Sequence, residues 1–218
     1  MHPIIPCFLP SLQDTLKLGA GTAVGQAQLP ALLAHSGGPL LAQGMALLLR
    51  LGFGFLLSEN PLDPAHAKKA KAFFEDNFVI TDPHAPGGHR YYQGKFMIRS
   101  KKPGENMNVM MEFCPDPKKL YVHSVFGETL NPLAVVVTRE LSETAANALE
   151  KDPGKVDLII RFKDIASILG LLQNPTADVA SLLVQNLLQV TGNMGHLFKL
   201  GAIATDIQLS LPLPAKAA

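Results

Sequence analysis

Two periods divide the chain. From Met107 to Phe113 apolar residues alternate, with Met107, Val109, Met111 and Phe113 on one face and Asn108, Met110 and Glu112 on the other. That two-residue period predicts a half-buried strand. It also predicts strands over 94–100, with Phe96 and Ile98 together, and over 119–126, with Leu120, Val122 and Phe126 together. "SKKPGEN" and "CPDPKK" lie between them and read as turns, so an antiparallel meander is expected. "PLAVVVTREL" is a near-continuous apolar run, the pattern of a strand buried on both faces. Val156, Leu158, Ile160 and Phe162 alternate in a further strand, and "LLQV" at 187–190 predicts the last.

The helical period occupies the remaining patterned segments. Residues 64–76 form an amphipathic stretch with Pro64 near its start and Phe73 and Phe74 near its end. Ser142 caps a short helix that Pro153-Gly154 terminates. Asp164 caps another, in which Ile165, Ile168, Leu169 and Leu172 fall at i, i+3, i+4 and i+7 before Asn174-Pro175. Asn174-Pro175 stops it, and a second helix repeats that spacing with Val179, Leu182, Leu183 and Leu187. In "QVTGNMGHLFKL", residues 189–200, Gly192 supplies the sharp turn out of a strand and Asn193 caps the next helix. Small Gly195 is expected to let that helix approach the sheet closely. Met194, Leu197 and Phe198 are expected to face inward, and His196 and Lys199 to face solvent. The greasiest run, "PLLAQGMALLLRLGFGFLLSENP" at 39–61, carries Gln43, Arg50 and three glycines. A membrane span needs about 20 predominantly apolar residues, and these interruptions favour a buried helix or one lying at a membrane surface.

Composition sharpens this picture. Hydrophobic residues make up 47% of the 218 and charged residues 17%, an apolar balance that implies a large core or contact with lipid. The net charge of +1 provides no field to attract nucleic acid. Cys7 and Cys114 are far apart and form no CxxC, so neither a disulfide framework nor a zinc cluster is expected. The N-terminus lacks a basic segment and a nearby small-residue cleavage site, so no signal peptide is expected, and the cysteine usage fits a reducing compartment, the cytoplasm or its membrane periphery. G-x-S-x-G and H-E-x-x-H motifs are both missing. His84 and His89 flank a Pro-Gly-Gly loop with no third ligand nearby, and Cys114 reads as a buried small hydrophobe. No catalysis, metal or cofactor is expected.

The order strand, Asp-capped helix, Asn-Pro, helix, short strand, T-G-N-M-G and apolar helix resembles the sterol carrier protein-2 family. Leu188, Val190, Thr191, Gly192, Asn193, Met194, Gly195, Lys199 and Leu200 stand at the family's motif positions, with Asp164 and Asn174-Pro175 upstream. Asn186 replaces a usual glycine and Leu187 a usual lysine, and residues 126–155 add a strand and a helix. The resemblance implies an α+β fold: a mostly antiparallel sheet of five to six strands, covered by helices on one face and enclosing an apolar tunnel. Residues 61–211 would form this lipid-binding domain, after an apolar helical extension at 1–60 and before a short tail at 212–218. Phe113, Leu169, Leu172, Val179, Leu182, Leu183, Met194, Leu197 and Phe198 would line the tunnel. The implied function is non-catalytic binding and transfer of a fatty acyl, sterol-like or isoprenoid lipid, with peripheral membrane contact through residues 39–57. The alternative is an accessory factor presenting lipid within a lipid or prenylquinone biosynthetic complex. The bland reading of the same residues is ordinary core packing.

Overall fold

A computed structural model describes residues 37–58, 63–125, 127–152, 154–168 and 183–210. The expected tunnel residues Leu169, Leu172, Val179 and Leu182 lie outside them. Described helices are α1 (Gly38–Leu56), α2 (Pro64–Phe78), α3 (Pro132–Val135), α4 (Glu143–Glu150) and α5 (Met194–Ser210). The strands are β1 (Val79–Thr81), β2 (His89–Tyr91), β3 (Gly94–Ser100), β4 (Asn108–Phe113), β5 (Tyr121–Ser124), β6 (Gly127–Leu130), β7 (Val136–Glu140), β8 (Leu158–Phe162) and β9 (Leu188–Gly192).

One five-stranded sheet, in the order β7-β4-β3-β8-β9, organises the domain. The β3–β4 hairpin pairs Gly94 with Phe113 and Arg99 with Asn108, so the alternation read from the sequence sets its two faces. The sheet is mixed, because β3 runs parallel to β8 while the other pairs are antiparallel. The expected meander stops after two strands. β5 turns back on β6 in a separate two-stranded hairpin, with Tyr121 opposite Leu130. The apolar run at 132–140 splits at Val136 into a helical turn and an edge strand, and β7 pairs only with β4. Its apolar residues pack under α1 rather than between two sheet neighbours, and the hydroxyl of Thr138 donates to the Ala46 carbonyl of that helix at 2.6 Å.

Helices lie on both faces of this sheet, not on one. Phe96, Val109, Met111, Phe113, Val136, Leu158, Ile160 and Phe162 form one apolar face, packed with residues of α1, α2 and α5. Met97, Met110 and Ile159 point to the opposite face, where Leu141, Val156 and Ala146 of α4 cover them. Helix α1, the described part of the segment read as an extension, contributes to this core. Ala42, Met45, Ala46, Phe53 and Leu57 are buried in the main cluster, while Arg50 stays exposed. Among the described residues no helix is long and apolar enough to cross a membrane.

The local signals at helix starts work as their chemistry requires. Ser142 Oγ accepts from the Ala145 amide at 3.2 Å, and Asp164 Oδ1 accepts from the Ser167 amide at 2.8 Å. Asn193 Oδ1 accepts from the Gly195 amide at 2.8 Å. Gly192 has φ +122°, and a Cβ there would sit 2.3 Å from the Asp157 carbonyl oxygen. That same carbonyl accepts from the Asn193 amide at 2.9 Å, so the close approach is built into the strand exit. Gly192→Ala should cost about 1–3 kcal/mol through backbone strain and steric overlap, read as a lower urea midpoint at unchanged slope. A change below a few tenths would show that the strand exit relaxes freely.

Candidate functional site

The described residues among those expected to line a tunnel separate into two environments. Phe113 is 1% exposed and stands at the centre of an aromatic cluster. Its ring lies 5.3 Å from Phe96, 5.4 Å from Phe78, 5.8 Å from Phe53 and 6.0 Å from Tyr92, centroid to centroid. Phe74 extends this cluster through Phe78 and Tyr91. These rings come from α1, α2, β2, β3, β4 and the turn at Tyr92, so the space between sheet and helices beside Phe113 is filled by side chains. Leu183 and Leu197 are half-buried and pack against the same core.

Met194 and Phe198 do not face inward. They are 47% and 71% exposed. The register of α5 is set by Leu197, Leu200 and Ile203, at i, i+3 and i+6, with Ile203 fully buried. This rotates Met194 and Phe198, four residues apart, onto the outer side. Gly195 is also exposed, and a Cβ on it would meet only its neighbour's cap, Asn193, so it makes no close approach to the sheet. His196, expected in solvent, turns inward instead. Its Nδ1 and the Tyr92 hydroxyl are hydrogen-bonded at 2.7 Å, and its ring contacts Phe96. Gly94 makes room for the pair, since a Cβ there would lie 3.0 Å from the Tyr92 hydroxyl and 3.2 Å from Nδ1. Burial, aided by the charge of Asp157, pushes the Tyr92 phenol up to about 12, so it remains a neutral hydrogen-bonding group at physiological pH. Lys199 rests near the Tyr92 ring and donates to the Asp76 carbonyl at 3.4 Å.

A polar cluster lies on the opposite sheet face. Arg99 and Arg161 are directly paired across the parallel β3–β8 register, an arrangement that repels unless anions intervene. α4 supplies them. Glu150 accepts from Arg99 at 2.5 Å and from Arg161 Nε at 2.9 Å, while Glu143 accepts from Arg99 at 2.5 Å and from Asn108 at 2.7 Å. Burial raises the Glu150 carboxyl, but the hydrogen bond and charge of Arg161 and the charge of Arg99 outweigh it and hold the group below its ordinary range. The sequence carried a signal for this cluster: arginines at outward positions of two strands, and glutamates two helical turns apart in "ETAANALE". Its charged groups satisfy one another, although the buried Asn108 Oδ1 has no hydrogen-bond partner among the described residues, and the ion pairs make it a clamp for α4 rather than an open binding site.

Cys114 is fully buried at φ +43°, and burial pushes its thiol up to about 12, which disfavours the nucleophilic thiolate. Exposed apolar residues are the more distinctive surface feature. Besides Met194 and Phe198 they include Leu40, Leu47 and Leu51, which lie along the outer side of α1 at 65%, 52% and 47% exposure. Compared with known proteins, the chain matches no family model, no curated protein and no solved structure.

Proposed function

We propose that the protein binds the apolar part of a lipid and carries or presents it, as its resemblance to the sterol carrier protein-2 family implies. The observation that carries this reading is the outward placement of Met194 and Phe198 on the helix following Thr191-Gly192-Asn193. An aromatic ring 71% exposed beside a methionine is a surface whose burial by a ligand is favourable. Methionine adapts to irregular chains and phenylalanine offers a large contact area. The apolar composition supports the same reading. The acyl, sterol-like or isoprenoid tail lies against this outer side of α5, while the inner side of the helix rests on the aromatic cluster through His196.

Phe198→Asp tests this directly. At so exposed a position a carboxylate stays hydrated, so stability should change by no more than about 0.5 kcal/mol. Losing the contact of one large apolar side chain, about 1.5–3 kcal/mol, should weaken binding of a fluorescent fatty acid tenfold or more. Unchanged probe affinity with an unchanged melting temperature would remove α5 from the ligand site.

The lipid-presenting alternative draws on Leu40, Leu47 and Leu51, a stripe on the outer side of α1 beside exposed Arg50. It suits a bilayer surface or a partner, with arginine reaching past the apolar contact. Stable co-purification of lipid-modifying enzymes with the full chain would favour presentation. Exchange of lipid between vesicles without partners would favour carriage.

A further inference from the structure

Apart from the apolar surfaces, the sheet ends in a cleft of about 350 Å³ lined by Lys101, Lys102, Lys163, Asp164 and Asn186. We propose that this lysine cleft, where the parallel strands β3 and β8 end, binds an anion carrying a phosphate group. Lys101 follows β3, Lys163 follows β8, and Asn186 precedes β9, so three chain segments meet there. Their backbones are tied together: the Lys101 amide donates to the Phe162 carbonyl at 2.7 Å and the Lys163 amide to the Leu187 carbonyl at 2.9 Å. The loop carrying Lys102 is anchored by buried Glu105, which accepts from the Ile165 amide at 2.8 Å and from the Ser100 hydroxyl.

The charges divide unevenly. Lys102 lies 3.4 Å from Glu105, and Asp164 accepts from the Ser167 amide and, at 2.6 Å, from its hydroxyl. Lys101 and Lys163 have no carboxylate within ion-pair distance among the described residues. Burial raises the neighbouring Asp164 carboxyl, but its Ser167 hydrogen bonds and, after them, the charges of Lys163 and Lys102 hold it below its ordinary range. Both are exposed at the cleft, and Asn186 can add an amide donor. Lysine ammonium groups are flexible point charges suited to phosphate oxygens, and a fixed backbone reduces the entropy lost on binding. The inference does not depend on lipid binding at α5, because an apolar tail could bind there with this cleft empty.

The test is an amide-resolved NMR titration of the full chain with inorganic phosphate. A site predicts saturable shifts confined to residues 100–102, 163–164 and 186. Removing two exposed ammonium contacts together in Lys101→Ala/Lys163→Ala should weaken binding about tenfold, with the rest of the spectrum unchanged. Lys68→Ala/Lys69→Ala, on exposed lysines of α2, removes the same charge elsewhere and should leave the affinity intact. Equal losses in both double variants, or no localised shifts in the wild type, would overturn the proposal. Phosphatidylcholine vesicles with and without phosphatidylglycerol then identify the source of the phosphate. Broadening of the same resonances only with phosphatidylglycerol supports a lipid headgroup. A response to inorganic phosphate alone supports a free phosphate compound in the same cleft.

Discussion

Phe113→Ala should lower the free energy of unfolding by about 3–5 kcal/mol, the usual cost of emptying a buried aromatic site. The ring is 1% exposed and contacts Phe53 of α1, Phe78 of α2, Tyr92 and Phe96. One side chain thus joins the hairpin to both helices and to the turn bearing Tyr92. Its tilted and edge-on ring pairs add to the loss of buried area. Replacing it leaves a cavity bordered by rigid rings that cannot all collapse inward. Urea unfolding of the ligand-free protein measures the cost. A loss below about 1 kcal/mol would mean that Phe113 borders a loosely filled space, as a ligand-lining residue would, and that the core beneath α5 is not solid. Expected cost and alternative differ widely enough for one titration to separate them.

Arg99→Met should cost about 2–3 kcal/mol, somewhat less than the ~3–5 kcal/mol for breaking a fully buried ion pair. The arginine side chain is 9% exposed, but Glu143 and Glu150 are 42% and 31% exposed, so solvent softens their loss of a partner. Methionine places an unbranched apolar side chain on the sheet face that carries Met97 and Met110 while removing the charge. The network also sets an acid dependence. Because Glu150 is held below its ordinary 4.5 in the folded protein, its stabilisation is complete above the unfolded value and fades as pH falls through the folded one. The wild type should therefore lose stability on acidification below about pH 4.5. Arg99→Met should show a smaller part of that slope, since one of the cations depressing Glu150 is gone. Parallel pH profiles that differ by a constant offset would place the acid sensitivity elsewhere.

Much of the sheet was legible because strands keep a two-residue period whatever they pack against. Phe96 and Ile98, Met111 and Phe113, and Leu158 and Ile160 share a face as their alternation indicates. Caps were equally readable, since Ser142, Asp164 and Asn193 act through hydrogen bonds within a few residues. Pairing was less accessible. Nothing local in "YVHSVFGETL" specifies that β5 pairs with β6 instead of joining β4. The apolar run of β7 suggested two-sided burial, yet an edge strand roofed by α1 needs the same residues. The register of α5 was misread from its first turn. Met194, Leu197 and Phe198 form a plausible helical face, but Leu197, Leu200 and Ile203 bury more of the helix and determine its rotation. Helix 38–56 was ambiguous for a related reason. A helix packed by one stripe can keep leucines on its other side, and composition counts both alike.

Lipid binding is the central claim, and native mass spectrometry of the gently purified full chain tests it most directly. The account predicts, besides the 23.4 kDa chain, an adduct with the mass of a fatty acid, sterol-like or isoprenoid lipid. Organic extraction should release it, and Phe198→Asp should diminish it. A chain that carries no amphiphile, and takes up none after incubation with fatty acid, would contradict the account.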